Sequence, residues 1–422
     1  MSLQVRLRLL PSARCLFDEA VHVKVAGLRS EQVVTLRART TDERGTVFHS
    51  AAVYRADGSG ELDLRRDAAL CGTYEGVEPM GLLWSMRAAV PFKYFHWTKA
   101  PSPLVVRFSV HDGVDVEEEE RGGAVAEATN ERVLIGEGVI REVVDLGKCN
   151  GVLFTPPGEG PFPGVLDVSP FASEKRASLL ANKGFVVLAL AVFYGKPTDV
   201  KYVELDRFQQ ALRFLQQHAK VGSDGLGVIG RCKGGDIALS LASFVPGVRA
   251  VVWINACSAN IGVPLHYRGQ EVLSSLTLDL SKIIPTPDGA NIVEYGAGDP
   301  DSEENRTSLI PIEKATADLL LLASEDGLNF DCRNYMESMA ARLRRAGKQN
   351  VETVCYPRAG HHLEPPYGPH CYSGVHGFLR IPVLWGGEPR AHAHAEVLAW
   401  KKVEDFFRNR LSCPLANTKA KL

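Results

Sequence analysis

The chain of 422 residues is long enough for two or three domains, and its 45% hydrophobic and 23% charged content is that of an ordinary globular protein. A net charge of −2 offers no global field for nucleic acid or an anionic membrane surface, so neither is expected as a partner. Nine cysteines are scattered without a CxxC pair or a tight cysteine–histidine cluster. That argues against zinc and against a disulfide framework, and for a reducing compartment. No run approaches roughly 18 uninterrupted apolar residues, so no membrane span is expected.

In chain order, Met1–Leu10 alternates apolar and basic residues and lacks an apolar signal core, which suits a strand better than a secretory signal; a mitochondrial transit peptide would normally run longer and richer in serine and arginine. Runs of period two follow at Val21–Val25, Gln32–Ala38 and Leu104–Val110, separated by turn signals such as Asp57-Gly58-Ser59-Gly60. They predict an antiparallel, immunoglobulin-like sandwich of roughly seven strands over residues 1–128. The stretch Val114–Gly123, with Glu117–Glu120 and Gly122-Gly123, reads as a solvated loop or linker.

From about residue 130 the texture changes. Apolar runs at Gly164–Val168, Phe185–Leu190, Leu226–Ile229, Ala250–Ile254, Leu319–Ala323 and Val351–Val354 show no alternation. Amphipathic stretches lie between them: Leu205–Gln217 aligns Leu205, Phe208, Leu212 and Leu215, and Ile237–Phe244 aligns Ile237, Leu241 and Phe244. Strands of that kind, linked by such helices, predict a mostly parallel sheet covered on both faces, an α/β domain over residues 129–422.

Two motifs compete within this domain. Gly225–Gly230 matches the letters GxGxxG, but its second half is itself a strand, and Val248-Arg249-Ala250-Val251 supplies no acid where a ribose hydroxyl would need one. The dinucleotide reading fails on context. Gly230-Arg231-Cys232-Lys233-Gly234 has strand before it and helix after it, the setting of a nucleophile elbow. Small residues relieve the crowding of so sharp a turn. A helix N-terminus and a basic neighbour are expected to lower the pKa of the Cys232 thiol. The Lys233 amide becomes an oxyanion donor, and Ser169, in the loop after Val168, the candidate for the second.

An elbow calls for an acid and then a histidine further along the chain. Ser324-Glu325-Asp326-Gly327 follows one strand and Ala359-Gly360-His361-His362 the next. His361 is the candidate base, with His362 its competitor. Asp326 is the candidate acid to hold the base's tautomer, and Glu325 is the alternative.

These residues resemble the type I acyl-coenzyme A thioesterases and the bile acid-CoA:amino acid N-acyltransferases, nearly end to end. The likeness runs through Glu78-Pro79-Met80-Gly81-Leu82-Leu83-Trp84, Arg176–Ala181, the elbow, Cys355-Tyr356-Pro357 with Gly360-His361, Glu364-Pro365-Pro366-Tyr367, and Trp385–Ala393. The resemblance implies a small β-sandwich followed by an α/β-hydrolase domain, a nucleophile–Asp–His triad, and acyl-CoA as substrate. No cofactor is implied, coenzyme A being part of the substrate.

Three departures stand out. The thioesterases place serine at position 232 and the N-acyltransferases cysteine, while Gly235, Ala242-Ser243-Phe244 and Glu388-Pro389-Arg390 lean toward the thioesterases. The family aspartate falls on Gly327, one position beyond Asp326. The family's glycine-rich loop reads Val168-Ser169-Pro170-Phe171-Ala172-Ser173, in which Pro170 has no N–H to offer. The expected function is hydrolysis of fatty acyl-CoA through a Cys232 acyl-enzyme. The alternatives are acyl transfer to glycine or taurine, and non-catalytic acyl-CoA binding. The last three residues, Ala420-Lys421-Leu422, are a variant of the Ser-Lys-Leu address, which predicts a peroxisomal import receptor as partner, with the cytoplasm as the alternative location.

Overall fold

The computed structural model describes residues 4–115, 123–147, 149–196, 199–222, 224–293 and 298–411. The acidic run Glu117–Glu120 and the tripeptide Ala420-Lys421-Leu422 lie outside the described residues. Two units emerge: one holds the chain up to Leu134 with Pro365–Cys371, the other Ile135–Glu364 with the chain from Tyr372 onward.

The first unit is all-β. Its larger sheet runs Arg14–Leu16, Ala126–Val133, Leu104–Asp112, Val33–Thr41, Val47–Arg55, Cys71–Gly72, with Arg87–Ala88 also paired to Val47–Arg55. Its smaller sheet is Arg6–Leu10, His22–Ala26, Leu62–Asp63. Pairing is antiparallel except where Glu131–Val133 runs parallel to Arg14–Leu16. Leu104, Val106, Phe108 and Val110 are buried, as the period-two reading requires.

The boundary expected at 128/129 falls inside the strand Ala126–Val133. That strand stays in register with Leu104–Asp112 as far as Arg132. Arg132 is fully buried, and its guanidinium donates to Glu19 O at 2.8 Å and Asn130 Oδ1 at 3.1 Å. A buried cation tied to these groups belongs with the first unit.

The second unit is built on eight strands: β1 (Ile140–Asp145), β2 (Asn150–Thr155), β3 (Gly164–Ser169), β4 (Val186–Ala191), β5 (Leu226–Arg231), β6 (Val248–Ile254), β7 (Asp318–Ser324) and β8 (Val351–Tyr356). Their order is β1-β2-β4-β3-β5-β6-β7-β8, antiparallel through β1, β2 and β4 and parallel thereafter. Val165, Leu166, Val228, Ile229, Val251, Val252 and Leu319–Leu322 are all at most 1% exposed, which is why the central strands read as unbroken apolar runs.

Among the described residues five α-helices belong to this unit: α1 (Lys175–Asn182), α2 (Leu205–Gln217), α3 (Lys233–Phe244), α4 (Cys332–Arg345) and α5 (Pro389–Arg410). On α2 the expected stripe Leu205, Phe208, Leu212 and Leu215 is buried, each such side chain being worth about 1.5–3 kcal/mol. Helix α3 begins at Lys233, four residues before the first apolar position of its stripe, because the chain turns directly from β5 into it. This strand order, with the turn after the central strand β5, is that of an α/β-hydrolase.

Candidate active site

Cys232 lies between β5 and α3 with φ 54° and ψ −132°, a conformation that costs a non-glycine residue about 1–3 kcal/mol. Two backbone hydrogen bonds hold it: Cys232 N donates to Ile254 O at 3.1 Å, and Gly235 N to Cys232 O at 2.8 Å. The glycines explain why such a turn closes. A Cβ on Gly230 would stand 2.0 Å from Gly234 O, one on Gly234 2.1 Å from Val168 O, and one on Gly235 2.5 Å from Ala256 Cβ. None of these positions admits a side chain. The nucleophile elbow is therefore present in form as well as in letters.

The two basic neighbours of Cys232 are committed elsewhere. Lys233 is buried and its Nζ donates to Asp236 Oδ2 at 2.9 Å and Asn260 Oδ1 at 2.7 Å. Arg231 pairs through Nε with Glu364 Oε1 at 2.7 Å and donates to His362 Nδ1 at 2.9 Å. The expected lowering of the thiol pKa does not occur. Burial raises the Cys232 thiol above its ordinary value, and the Arg231 charge and the Lys233 amide offset only part of that.

His361 is fully buried. Its ring packs on Trp385 (centroids 5.6 Å apart, planes at 20°) and edge-on to Phe330 (5.8 Å). Its N–H donates to Trp385 O at 2.9 Å and its carbonyl accepts from Asn255 Nδ2 at 2.8 Å, so the backbone is fixed. Among the described residues neither Nδ1 nor Nε2 has a hydrogen-bond partner. Burial, reinforced by the Arg231 charge, holds its pKa well below the ordinary imidazole value, so the ring is neutral. The competitor His362 is engaged by Arg231.

The expected bond from Asp326 to His361 is not made. Asp326 Oδ2 accepts from Gly387 N at 3.1 Å, and Asp326 N donates to Ala359 O at 3.0 Å. Glu325 points to the surface, toward Arg333 at 3.2 Å and the Arg358 amide at 3.3 Å. The position that faces His361 is Gly327, where a Cβ would lie 3.7 Å from both His361 N and Cα, in ordinary contact. The one-residue offset noted in the sequence is thus an offset in space, and among the described residues no carboxylate bonds the His361 ring.

Ser169 is the last residue of β3. Its hydroxyl accepts from Arg176 at 3.0 Å and its carbonyl from Val192 N at 2.8 Å. Its amide nitrogen lies 3.3 Å from where a Gly234 Cβ would be, which brings the strand end against the elbow. Below it Arg176 Nε donates to the buried carboxylate of Asp167 at 3.1 Å and anchors the start of the loop. One polar residue escaped the sequence reading. Asn329, 1% exposed, donates from Nδ2 to Cys232 Sγ at 3.9 Å. Its signal was an amide set between apolar Leu328 and Phe330 just beyond the candidate acid. Among the described residues no group of three His, Cys, Asp or Glu side chains is arranged to hold a metal ion.

Two family models match the chain: "Acyl-CoA thioester hydrolase/BAAT N-terminal region" over residues 18–145 and "BAAT / Acyl-CoA thioester hydrolase C terminal" over residues 203–413. Human acyl-coenzyme A thioesterase 2, mitochondrial, is 41% identical over 95% of this chain and 83% of its own length. Acyl-coenzyme A thioesterase 3 of Mus musculus is 40% identical over 98% of this chain and 96% of its own. Human acyl-coenzyme A thioesterase 1 is 41% identical over 95% and 96%. With half the chain under one of these models and relatives at this identity along almost all of it, the protein belongs to the acyl-CoA thioester hydrolase/BAAT family.

Proposed function

We propose that this protein hydrolyses acyl-CoA to free acid and coenzyme A through a Cys232–His361 dyad. The observation that carries the reading is a cysteine on a strained strand-to-helix turn, in the same unit as a buried, neutral histidine whose two ring nitrogens are uncommitted. Sγ attacks the thioester carbonyl while the neutral imidazole takes the thiol proton. The amides of Lys233 and Ser169 hold the oxyanion. The imidazolium then protonates the departing coenzyme A sulfur, which leaves an acyl-Cys232 thioester. Water, deprotonated by His361, attacks that carbonyl, and the Cys232 sulfur leaves and regains its proton. A thiol is acidic enough to be activated by a lone histidine, so the dyad does not depend on Asp326.

A second reading rests on the same sulfur. Transfer from coenzyme A to Cys232 exchanges one thioester for another, so the acyl-enzyme keeps its reactivity toward amines. Glycine or taurine could then take the acyl group in place of water. The relatives named as thioesterases favour hydrolysis. Incubation with a long-chain acyl-CoA, with and without glycine or taurine, followed by separation of free acid from amide, tests the order. Free acid is expected to dominate in all cases. Dominant amide would reverse it, and absence of coenzyme A release above background would leave only acyl-CoA binding. In the same assay Asp326→Asn is expected to cost less than about tenfold in turnover, against the ~10⁴-fold loss of a triad aspartate.

The pH profile follows from His361. It must be neutral to accept the thiol proton, and its depressed pKa moves the acid limb of kcat/KM downward. Activity should therefore persist below about pH 6.5, the ordinary imidazole value, and fall only further into acid. A half-maximal point at or above that value would contradict the assignment of His361 as the buried base.

The tripeptide Ala420-Lys421-Leu422 supports delivery to the peroxisomal matrix by an import receptor. No helix among the described residues is long and apolar enough to cross a membrane. Removal of Leu422 from a tagged protein is expected to disperse a punctate signal into the cytosol. Unchanged puncta would refute the assignment.

A further inference from the structure

We propose that Asn329 is a further group that stabilises the Cys232 thiolate, as a side-chain donor to the sulfur, in a site where no carboxylate among the described residues bonds the base. This rests on the reading of Cys232 as nucleophile. Asn329 belongs to the loop between β7 and α4, and the loop is pinned around it. Asp326 N donates to Ala359 O at 3.0 Å, Leu328 N to Trp385 O at 3.3 Å, and Cys232 Sγ receives Asn329 Nδ2 at 3.9 Å. Phe330, the next residue, meets the edge of the His361 ring. The amide is thus held against the Cys232 sulfur by a loop whose next residue packs on His361, without a rotamer search.

The other end of the side chain is equally informative. Asn329 Oδ1 is buried and has no hydrogen-bond partner, a cost that a purely structural asparagine would not carry. An amide has a use for that freedom next to a thiol. Nδ2 already donates to Sγ of the resting thiol, and the same N–H is in place for S⁻ once the proton has moved to His361, while Oδ1 gives up its own bond to keep that orientation. A carboxylate at the same place has no N–H to donate, and its charge would oppose the thiolate. Sequence placed an acid at 326. The packed loop instead places a neutral amide three residues later, against the sulfur rather than the imidazole.

The test measures Cys232 itself. Wild type and the variants Asn329→Leu, Asn329→Asp and Asn329→Gln are alkylated with iodoacetamide at pH 8, and the Cys232 peptide is followed by mass spectrometry. The exposed Cys71, in the other unit, is the internal standard. Loss of a hydrogen bond to a charged sulfur should slow Cys232 alkylation about tenfold in Asn329→Leu, more in Asn329→Asp, and less in Asn329→Gln. Cys71 should not change. Turnover should fall in the same order, with the KM for acyl-CoA unaltered. Equal Cys232 alkylation rates in wild type and folded Asn329→Leu would overturn the proposal. If the leucine variant does not fold, equal rates in the near-isosteric Asn329→Asp would overturn it instead. A Cys232→Ala variant that keeps full turnover would instead defeat the nucleophile assignment, while the alkylation comparison would still report on Asn329.

Discussion

Everything in the second unit converges on one crowded crossing, where β5, α3 and the end of β3 meet with no room for a Cβ. Gly234 lies under the Val168 carbonyl, Gly230 under the Gly234 carbonyl, and Gly235 against Ala256. That crowding forces Cys232 into its unusual backbone conformation and lifts its sulfur off the strand at the start of α3. The cost of the strained residue is spread over backbone hydrogen bonds and the surrounding core, which fixes the thiol before any substrate arrives. A looser turn would leave Cys232 one more apolar side chain in a core that holds two other buried cysteines, Cys257 and Cys332, whose thiols burial also pushes up.

Burial then sets the electrostatics. The charges around the site are paired, Arg231 with Glu364, Lys233 with Asp236 and Arg176 with Asp167, and what Arg231 and Lys233 still exert on the sulfur is outweighed by burial. Removing both reactive groups from water favours their neutral forms, so the thiol pKa rises and the imidazole pKa falls. Both shifts favour a neutral Cys232 thiol and a neutral His361 ring, so the proposed dyad starts without a preformed thiolate–imidazolium pair. In the proposed mechanism, ionisation is deferred until a thioester carbonyl gives the electrons somewhere to go. Cysteine suits such a site, because a thiol gives up its proton far more readily than an alcohol and makes less demand on a third residue.

Much of this could be read from the sequence where periodicity and local sterics decide the structure. The helix Leu205–Gln217 is found end to end, since its stripe is regular and its ends are free of rival signals. The glycine frame of Cys232 was legible because the small residues that the turn needs lie together in Gly230–Gly235, although Val168 and Ala256, which crowd Gly234 and Gly235, are distant in sequence. The two outer strands β1 and β2 were not. Ile140 and Val143 are more than half exposed, so at that antiparallel edge the apolar signal is broken by Arg141, Glu142 and Asp145. The grouping of Pro365–Cys371 with the first unit also has no local signal, because it depends on contacts distant in sequence. At the site, counting residues found the right loop but not the direction of its side chains. Asp326 turns to Gly387 and Gly327 faces His361, a difference set by the turn's backbone. The charge expectation for Cys232 failed for a related reason. Sequence shows that Arg231 and Lys233 are neighbours, but not that each is already paired and that burial outweighs both.

The central claim is that the acyl group passes through Cys232. Rapid quenching of enzyme with acyl-CoA, followed by mass spectrometry of the Cys232 peptide at acid pH, tests it most directly. The expected result is a mass increase equal to the acyl group on Cys232, which forms before free acid accumulates and decays at the rate of turnover. Steady release of coenzyme A with no acyl group on Cys232 at any time would contradict it.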